Sequence, residues 1–452
     1  MLPVAIVLGA VVLILVTTRF ERADRPYLFG SFFAHVGACI AFLWFSAAWD
    51  KYKRGDIDGY CVSASGIALL VGEDPARWGP ELIKLIAHQT SDLTRLEISE
   101  VPATAAAHGW SGVAQLLSGG PDSITAGCLV VAFFSFLAKA LLFSVAKSAY
   151  GAKHRPVLAI GTLFVPSVLF WTCGFVKEAY AMIGMGFAVY GLHGTFAMRR
   201  YSRLPLALFG AAMVASVKPY VLFPLVLGAA AWLFAARRGG KIRWSYVLAA
   251  AGVAYAGIAL IGMVFPEFGM EAINGNIAGT RHASEMAGGG SLVGEELADD
   301  AITNPSFASN LAALPLGLVN VLVRPFLFEI RSVPQLGASL ENGILWLTVI
   351  LLLRKYSVKK VAQAIMNGPA IFAAVIFALT FAAAVGLSSK NLGTLSRYRV
   401  PMMPAYVLAV GVLRDRLRRM PIRLASIPKA RVVLPREHGA GARPASLRRT
   451  PR

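Results

Sequence analysis

The sequence predicts an all-α fold, a polytopic bundle of transmembrane helices, and three observations carry that prediction. Only 15% of the 452 residues are charged and 56% are hydrophobic, whereas about a quarter of a soluble protein is charged. The apolar residues fall in runs near the length of about twenty with which a helix crosses 30 Å of hydrocarbon. The short alternating segments of a membrane β-barrel do not occur in the sequence, and a helix satisfies its own backbone in lipid.

The runs give about eleven spans: 2–18, 28–49, 124–146, 156–174, 178–197, 203–218, 220–236, 244–265, 340–353, 363–387 and 400–413, the last continuing into Arg414–Arg418. Leu2–Thr18 has no basic leader and no small-residue cleavage site before Arg19–Arg25, so it reads as a retained span rather than a signal peptide.

Orientation follows from Lys and Arg in the connections. With the N-terminus outside and the C-terminus cytoplasmic, segments 19–27, 147–155, 198–203, 237–243, 354–362 and the tail lie inside, holding 29 of the 44 Lys and Arg. Only Glu21, Asp24, Asp415 and Glu437 share that side, so most acids fall outside, where acid chemistry could take place. Twelve of the cations lie after residue 413. The net charge of +20 therefore does not point to nucleic acid. The domains expected are a transmembrane unit, 1–413, and a basic disordered tail, 414–452, that touches anionic headgroups. The cysteines Cys39, Cys61, Cys128 and Cys173 form no C-x-x-C pair and have no metal-ligand spacing.

Two long outer segments result, 50–123 and 266–339. In the first, Val62–Leu70 is too short to span, and Pro80–His88 and Trp110–Leu117 read as amphipathic helices along the interface. In the second, Leu311–Ile330 is long enough to cross but contains Pro315, Gly317, Arg324, Pro325 and Glu329. A single crossing there would reverse every later basic loop, so 311–330 reads as a broken, re-entrant hairpin. The sequence shows no internal repeat, which weakens a transporter built from inverted halves.

This topology gathers charge on the outer face. Asp50–Tyr60 places three carboxylates, three cations and two tyrosines directly after the second span. A carboxylate of the Asp56/Asp58 pair can act as general base toward a hydroxyl or, with its neighbour, hold a divalent cation such as Mg or Mn. Such a pair also reads as a solvated loop balancing Lys51, Lys53 and Arg54. Asp50, Tyr60, Glu178, Lys218 and Glu329 join them as secondary candidates, with Glu341 and Lys390 nearby. Lys177, Arg324, Arg397 and Arg399 are cations on a face that usually lacks them. Arg suits bidentate phosphate binding, although snorkelling at helix ends is the plainer reading. Lys139 lies alone inside a span and is a weaker functional hint. His88, His108 and His282 read as surface histidines, and Trp44, Trp49, Trp171 and Tyr60 as an aromatic belt.

Three stretches carry a resemblance. Gly55–Tyr60 (G-D-I-D-G-Y) resembles the first outer-loop acidic motif of GT-C membrane glycosyltransferases. Pro166–Ala179 (P-S-V-L-F-W-T-C-G-F-V-K-E-A) resembles a Pro-Ser…Phe-Trp…Gly…Lys-Asp/Glu stretch of bacterial members, and Asn391–Pro404 (N-L-G-T-L-S-R-Y-R-V-P-M-M-P) their closing Arg-Tyr-Arg-x-Pro stretch. The resemblance implies inverting sugar transfer from a polyprenyl-phosphate donor to a glycan, lipid or protein acceptor. Asp56 or Asp58 would be the base, and Lys177, Arg397 and Arg399 would hold the lipid phosphate. It also implies a bacterial inner (plasma) membrane setting with the site facing the periplasm. The extra span before the acidic loop departs from the commonest layout. It resembles O-antigen and exopolysaccharide polymerases, which use lipid-pyrophosphate donors. A lipid or sugar transporter is the third reading.

Overall fold

The computed structural model describes residues 2–50, 56–96, 98–99, 101–237, 307–389 and 391–419, with isolated positions 252, 275 and 279. The expected span 244–265, most of the second outer segment with His282, Lys390 and the tail beyond 419 lie outside the described residues. So do the side chains of Asp50 and Asp56.

The described residues are helical with no strand. Among the described residues, five helices are long and apolar enough to cross a membrane: Leu2–Arg19, Arg22–Ala47, Ile124–Tyr150, Val333–Lys355 and Pro369–Ser388; three shorter apolar ones are Tyr201–Val217, Pro219–Ala235 and Ala308–Leu322. The protein is thus a helical membrane protein.

The first helices are α1 (Leu2–Arg19) and α2 (Arg25–Asp50). Three shorter ones follow, α3 (Asp56–Glu73), α4 (Pro75–Ile86) and α5 (Pro102–Leu117), and then α6 (Ile124–Tyr150). Helix α6 is the axis of the first half: α1, α2 and α5 all pack on it. Its faces are mostly buried, with Phe133, Phe136 and Phe143 among its core residues. A helix apolar all round belongs in such a position.

The expected span 156–174 is not one helix. It divides into α7 (Arg155–Leu163) and the single turn and a half of α8 (Pro166–Trp171). Pro166 has no N–H and pushes the preceding residue out of the helical region; Val165 is extended, at φ −65° and ψ 115°. Polar groups meet both ends of α8. Glu341 accepts from the Ser167 N–H at 2.5 Å, and Lys139 Nζ donates to the Val168 carbonyl at 3.3 Å and to Thr172 Oγ1 at 2.7 Å. Interrupted backbone at membrane depth survives where protein satisfies it. Each charge also has the sign that the nearby helix end favours.

Helix α9 (Lys177–Leu192) and α10 (Leu204–Val217) form an antiparallel pair. A Cβ on Gly184 would stand 2.8 Å from the Gly210 carbonyl oxygen, and one on Gly210 only 2.4 Å from the Ala188 nitrogen. These missing side chains let the two backbones touch, as small residues do between membrane helices. The second half contains α11 (Leu222–Arg237), α12 (Phe307–Leu322), α13 (Val333–Lys355) and α14 (Val358–Met366). It closes with α15 (Pro369–Ser388), α16 (Leu392–Tyr398) and α17 (Met403–Arg419). Helix α15 is its axis, packed by α11, α12 and α17.

Three expectations change. Trp110–Leu117 belongs to the longer α5, which is packed on several sides rather than along one face: Ala105 to Gly109, Ser111, Gly112, Ala114 and Gln115 are all buried between α3, α6 and α10. Hairpin 311–330 is a continuous helix as far as Leu322, with Pro315 inside it; the break comes at the connection through Arg324 and Pro325. The tail begins later than residue 414, because α17 runs on to Arg419, where Leu413 and Leu417 pack on Leu352 and Ala364.

Candidate active site

The α9–α10 register decides what meets at the first turn of α9. Because the helices run antiparallel with Gly184 against Gly210, the start of one lies beside the end of the other. Glu178 therefore faces Lys218, whose Nζ donates to Glu178 Oε1 at 2.7 Å. The other carboxylate oxygen accepts from Arg397 Nε at 2.8 Å. Glu178 is completely buried. A carboxylate in such a place needs full pairing, and two cations provide it from segments 40 and 219 residues away.

Aromatic rings complete the cluster. Lys218 Nζ lies 4.2 Å from the centre of the Tyr398 ring and donates to the Tyr220 hydroxyl at 3.2 Å. Arg397 lies 5.4 Å from the centre of the Trp171 ring. A ring face attracts a cation without cancelling its charge. Tyr60 lies within electrostatic reach of Arg397. It is buried and stacked on His108 at 4.4 Å, and His108 is joined to Ser63. Tyr60 and His108 are thus interior groups, not the interface and surface residues expected. Lys177 reaches back to α5, donating to Thr104 Oγ1 at 2.5 Å.

Asp58 is exposed on the first turn of α3. Asp56 begins that helix. Cations Arg324 and Arg399 sit elsewhere. The Arg324 guanidinium pairs with Glu329 and holds that carboxyl below the usual carboxylate range. Arg399 is 1% exposed and spends its terminal nitrogens on backbone, Nη1 on the carbonyls of Val321 and Arg324 and Nη2 on Ala338, while its buried Nε has no hydrogen-bond partner among the described residues. With Asn342, which donates to the same Arg324 carbonyl at 2.6 Å, it ties the end of α12 to α13.

The structure thus joins Glu178, Lys218 and Arg397 directly and draws Tyr60 toward them. It sets Arg324, Glu329 and Arg399 in a second group around the α12–α13 connection. Sequence reasoning missed Thr104, Tyr220 and Tyr398 as neighbours of the cations. Tyr398 had a signal, its place between two arginines; Thr104 had none. It also missed the partners of Lys139, which are His35 at 3.1 Å, Thr172 and the Val168 carbonyl. No group of three His, Cys, Asp or Glu that could hold a metal occurs among the described residues.

No family model, no curated protein and no solved structure matches the chain significantly.

Proposed function

We propose that the protein is a membrane glycosyltransferase that moves a sugar from a polyprenyl-phosphate donor to an acceptor hydroxyl at the outer membrane face. The observation that carries the reading is the Glu178–Arg397 ion pair. It fastens the middle stretch, Pro166–Ala179, to the closing stretch, Asn391–Pro404, and Tyr60, the last residue of the acidic stretch, lies within electrostatic reach of Arg397. These are the three stretches whose resemblance pointed to GT-C enzymes, and they are far apart in the sequence.

In this reading Glu178 orients the Arg397 guanidinium through Nε, and the terminal nitrogens of the fork bind the lipid phosphate. Lys177 and Lys218 add positive charge where the leaving phosphate develops negative charge. Asp58 or Asp56 takes the proton from the acceptor hydroxyl. A divalent cation, if used, is held by that acidic pair. Arg324 and Arg399 take no part in phosphate binding; they hold the α12–α13 connection. The enzyme works in a bacterial inner membrane with its site toward the periplasm.

The test is transfer in proteoliposomes that supply a lipid-monophosphate sugar or a lipid-pyrophosphate oligosaccharide. Transfer from the monophosphate, lost in Asp56→Asn or Asp58→Asn while membrane insertion is kept, supports the reading. Wild-type transfer in both variants removes the catalytic base. Turnover of the pyrophosphate donor alone would make the protein a polysaccharide polymerase. Movement of substrate without bond formation would make it a transporter. Transfer measured with and without EDTA decides whether a cation is required.

A further inference from the structure

At the opposite end of the bundle, away from Glu178, two cavities adjoin. One, of about 190 Å³, is walled almost wholly by apolar side chains, among them Leu142, Met185, Leu225, Trp232, Phe377 and Leu408. The other, of about 370 Å³, is polar and basic, lined by Lys153, His154, Arg416 and Arg419. They share Ala149, Tyr150 and Ala370. The Tyr150 hydroxyl donates to the Ala370 carbonyl at 2.9 Å, so the shared wall is itself satisfied.

We infer that the two cavities form one binding site for an anionic glycerophospholipid, with its phosphate in the basic cavity and an acyl chain in the apolar one. The basic cavity is fixed by the fold. Arg416 donates to the carbonyls of Ala364 and Asn367 at 3.3 and 3.2 Å. Asp415 receives His154 and, at 3.3 Å, Arg419. Lys153 is exposed beside them and makes no ion pair among the described residues. One carboxylate thus stands against three permanent cations, a balance that draws an anion. Free phosphate would use only that half. An apolar cavity that shares Ala149, Tyr150 and Ala370 with it fits a ligand whose phosphate carries a hydrocarbon chain. Basic pockets between membrane helices on the side where basic loops gather select such headgroups.

Native mass spectrometry of the full-length protein in detergent, titrated with phosphatidylglycerol or phosphatidylcholine, tests the site. Phosphatidylglycerol is expected to add one tightly held copy, ahead of phosphatidylcholine. Lys153→Ala with Arg419→Ala is expected to weaken that binding roughly thirtyfold, from the loss of two cations. Ala229→Phe, which fills the apolar cavity, is expected to weaken both lipids; thermal melting of each variant confirms folding. The inference is overturned if the two lipids bind alike, or if folded variants of both kinds bind as the wild type does. It is also overturned if inorganic phosphate displaces the lipid, or if a polyprenyl phosphate binds ahead of phosphatidylglycerol.

Discussion

Two buried carboxylates, one near each end of the bundle, solve the same problem in different ways. Asp24 and Glu178 are both fully buried, and each holds two cations from distant segments. Asp24 takes Lys147 at 2.5 Å and Arg155 at 2.7 Å. There a second acid, Glu21, reaches the same two cations at 3.2 and 2.6 Å from a largely exposed position. Two acids and two bases balance, and water screens part of the network. Around Glu178 the rings of Tyr398 and Trp171 lie 4.2 and 5.4 Å from the cations, closer than Phe143 stands to Lys147, at 6.0 Å. The first arrangement fastens α2, α6 and α7 together. The second fastens α9, α10 and α16 through one carboxylate shared by two cations. That difference is why the candidate site is assigned to Glu178 and its partners and not to Asp24.

The comparison can be broken most sharply by removing each carboxylate. Glu178→Gln leaves two buried cations without their shared anion and should lower stability by about 3–5 kcal/mol. Asp24→Asn, with Glu21 still in place, should cost only about 1–3 kcal/mol. Thermal melting in one detergent measures both, and equal losses would show that the rings and the second acid are equivalent. Arg397→Lys comes next. It keeps the charge against Glu178 but loses the planar fork, so stability should hold while transfer falls about a hundredfold. Unchanged transfer would end the phosphate assignment.

Gly210→Leu should destabilise by about 1–3 kcal/mol through overpacking and, by parting α9 from α10, should weaken the Lys218–Glu178 pair. Melting combined with Gly210→Leu/Lys218→Met shows whether the two effects are coupled. The smallest effect concerns Glu329. Its folded pKa is depressed by Arg324, so its contribution is present above the unfolded carboxylate value of about 4.3 and is lost as pH falls through the folded value. The melting difference between wild type and Glu329→Gln should therefore shrink on acidification from pH 7. A difference that grows would reverse the sign.

Much of the fold was legible because it rests on composition and run length, which are local properties. Spans at 2–18, 28–49 and 124–146 and the helix within 363–387 are all present as helices. Helix α17 continues past residue 413, as its basic extension implied. The break at Pro166 was written in the sequence, but an apolar run of the right length concealed it. Trp110–Leu117 shows the opposite limit. A short run of small and apolar residues has the same letters whether one face of it is covered or it is wedged among three helices.

By itself the sequence determined that this chain is a helical membrane protein, where its basic connections fall, and which charged residues stand out from an apolar background. Run length and charge fix these, since the hydrocarbon core imposes both. The tertiary structure alone decided the partners. It assigned Glu178 to Lys218 and Arg397, Arg399 to the carbonyls of the α12–α13 connection, and Lys139 to His35 and Thr172. A buried ion must find its counter-charge in space, and the close passage of Gly184 by Gly210, not distance along the chain, brings that counter-charge within reach.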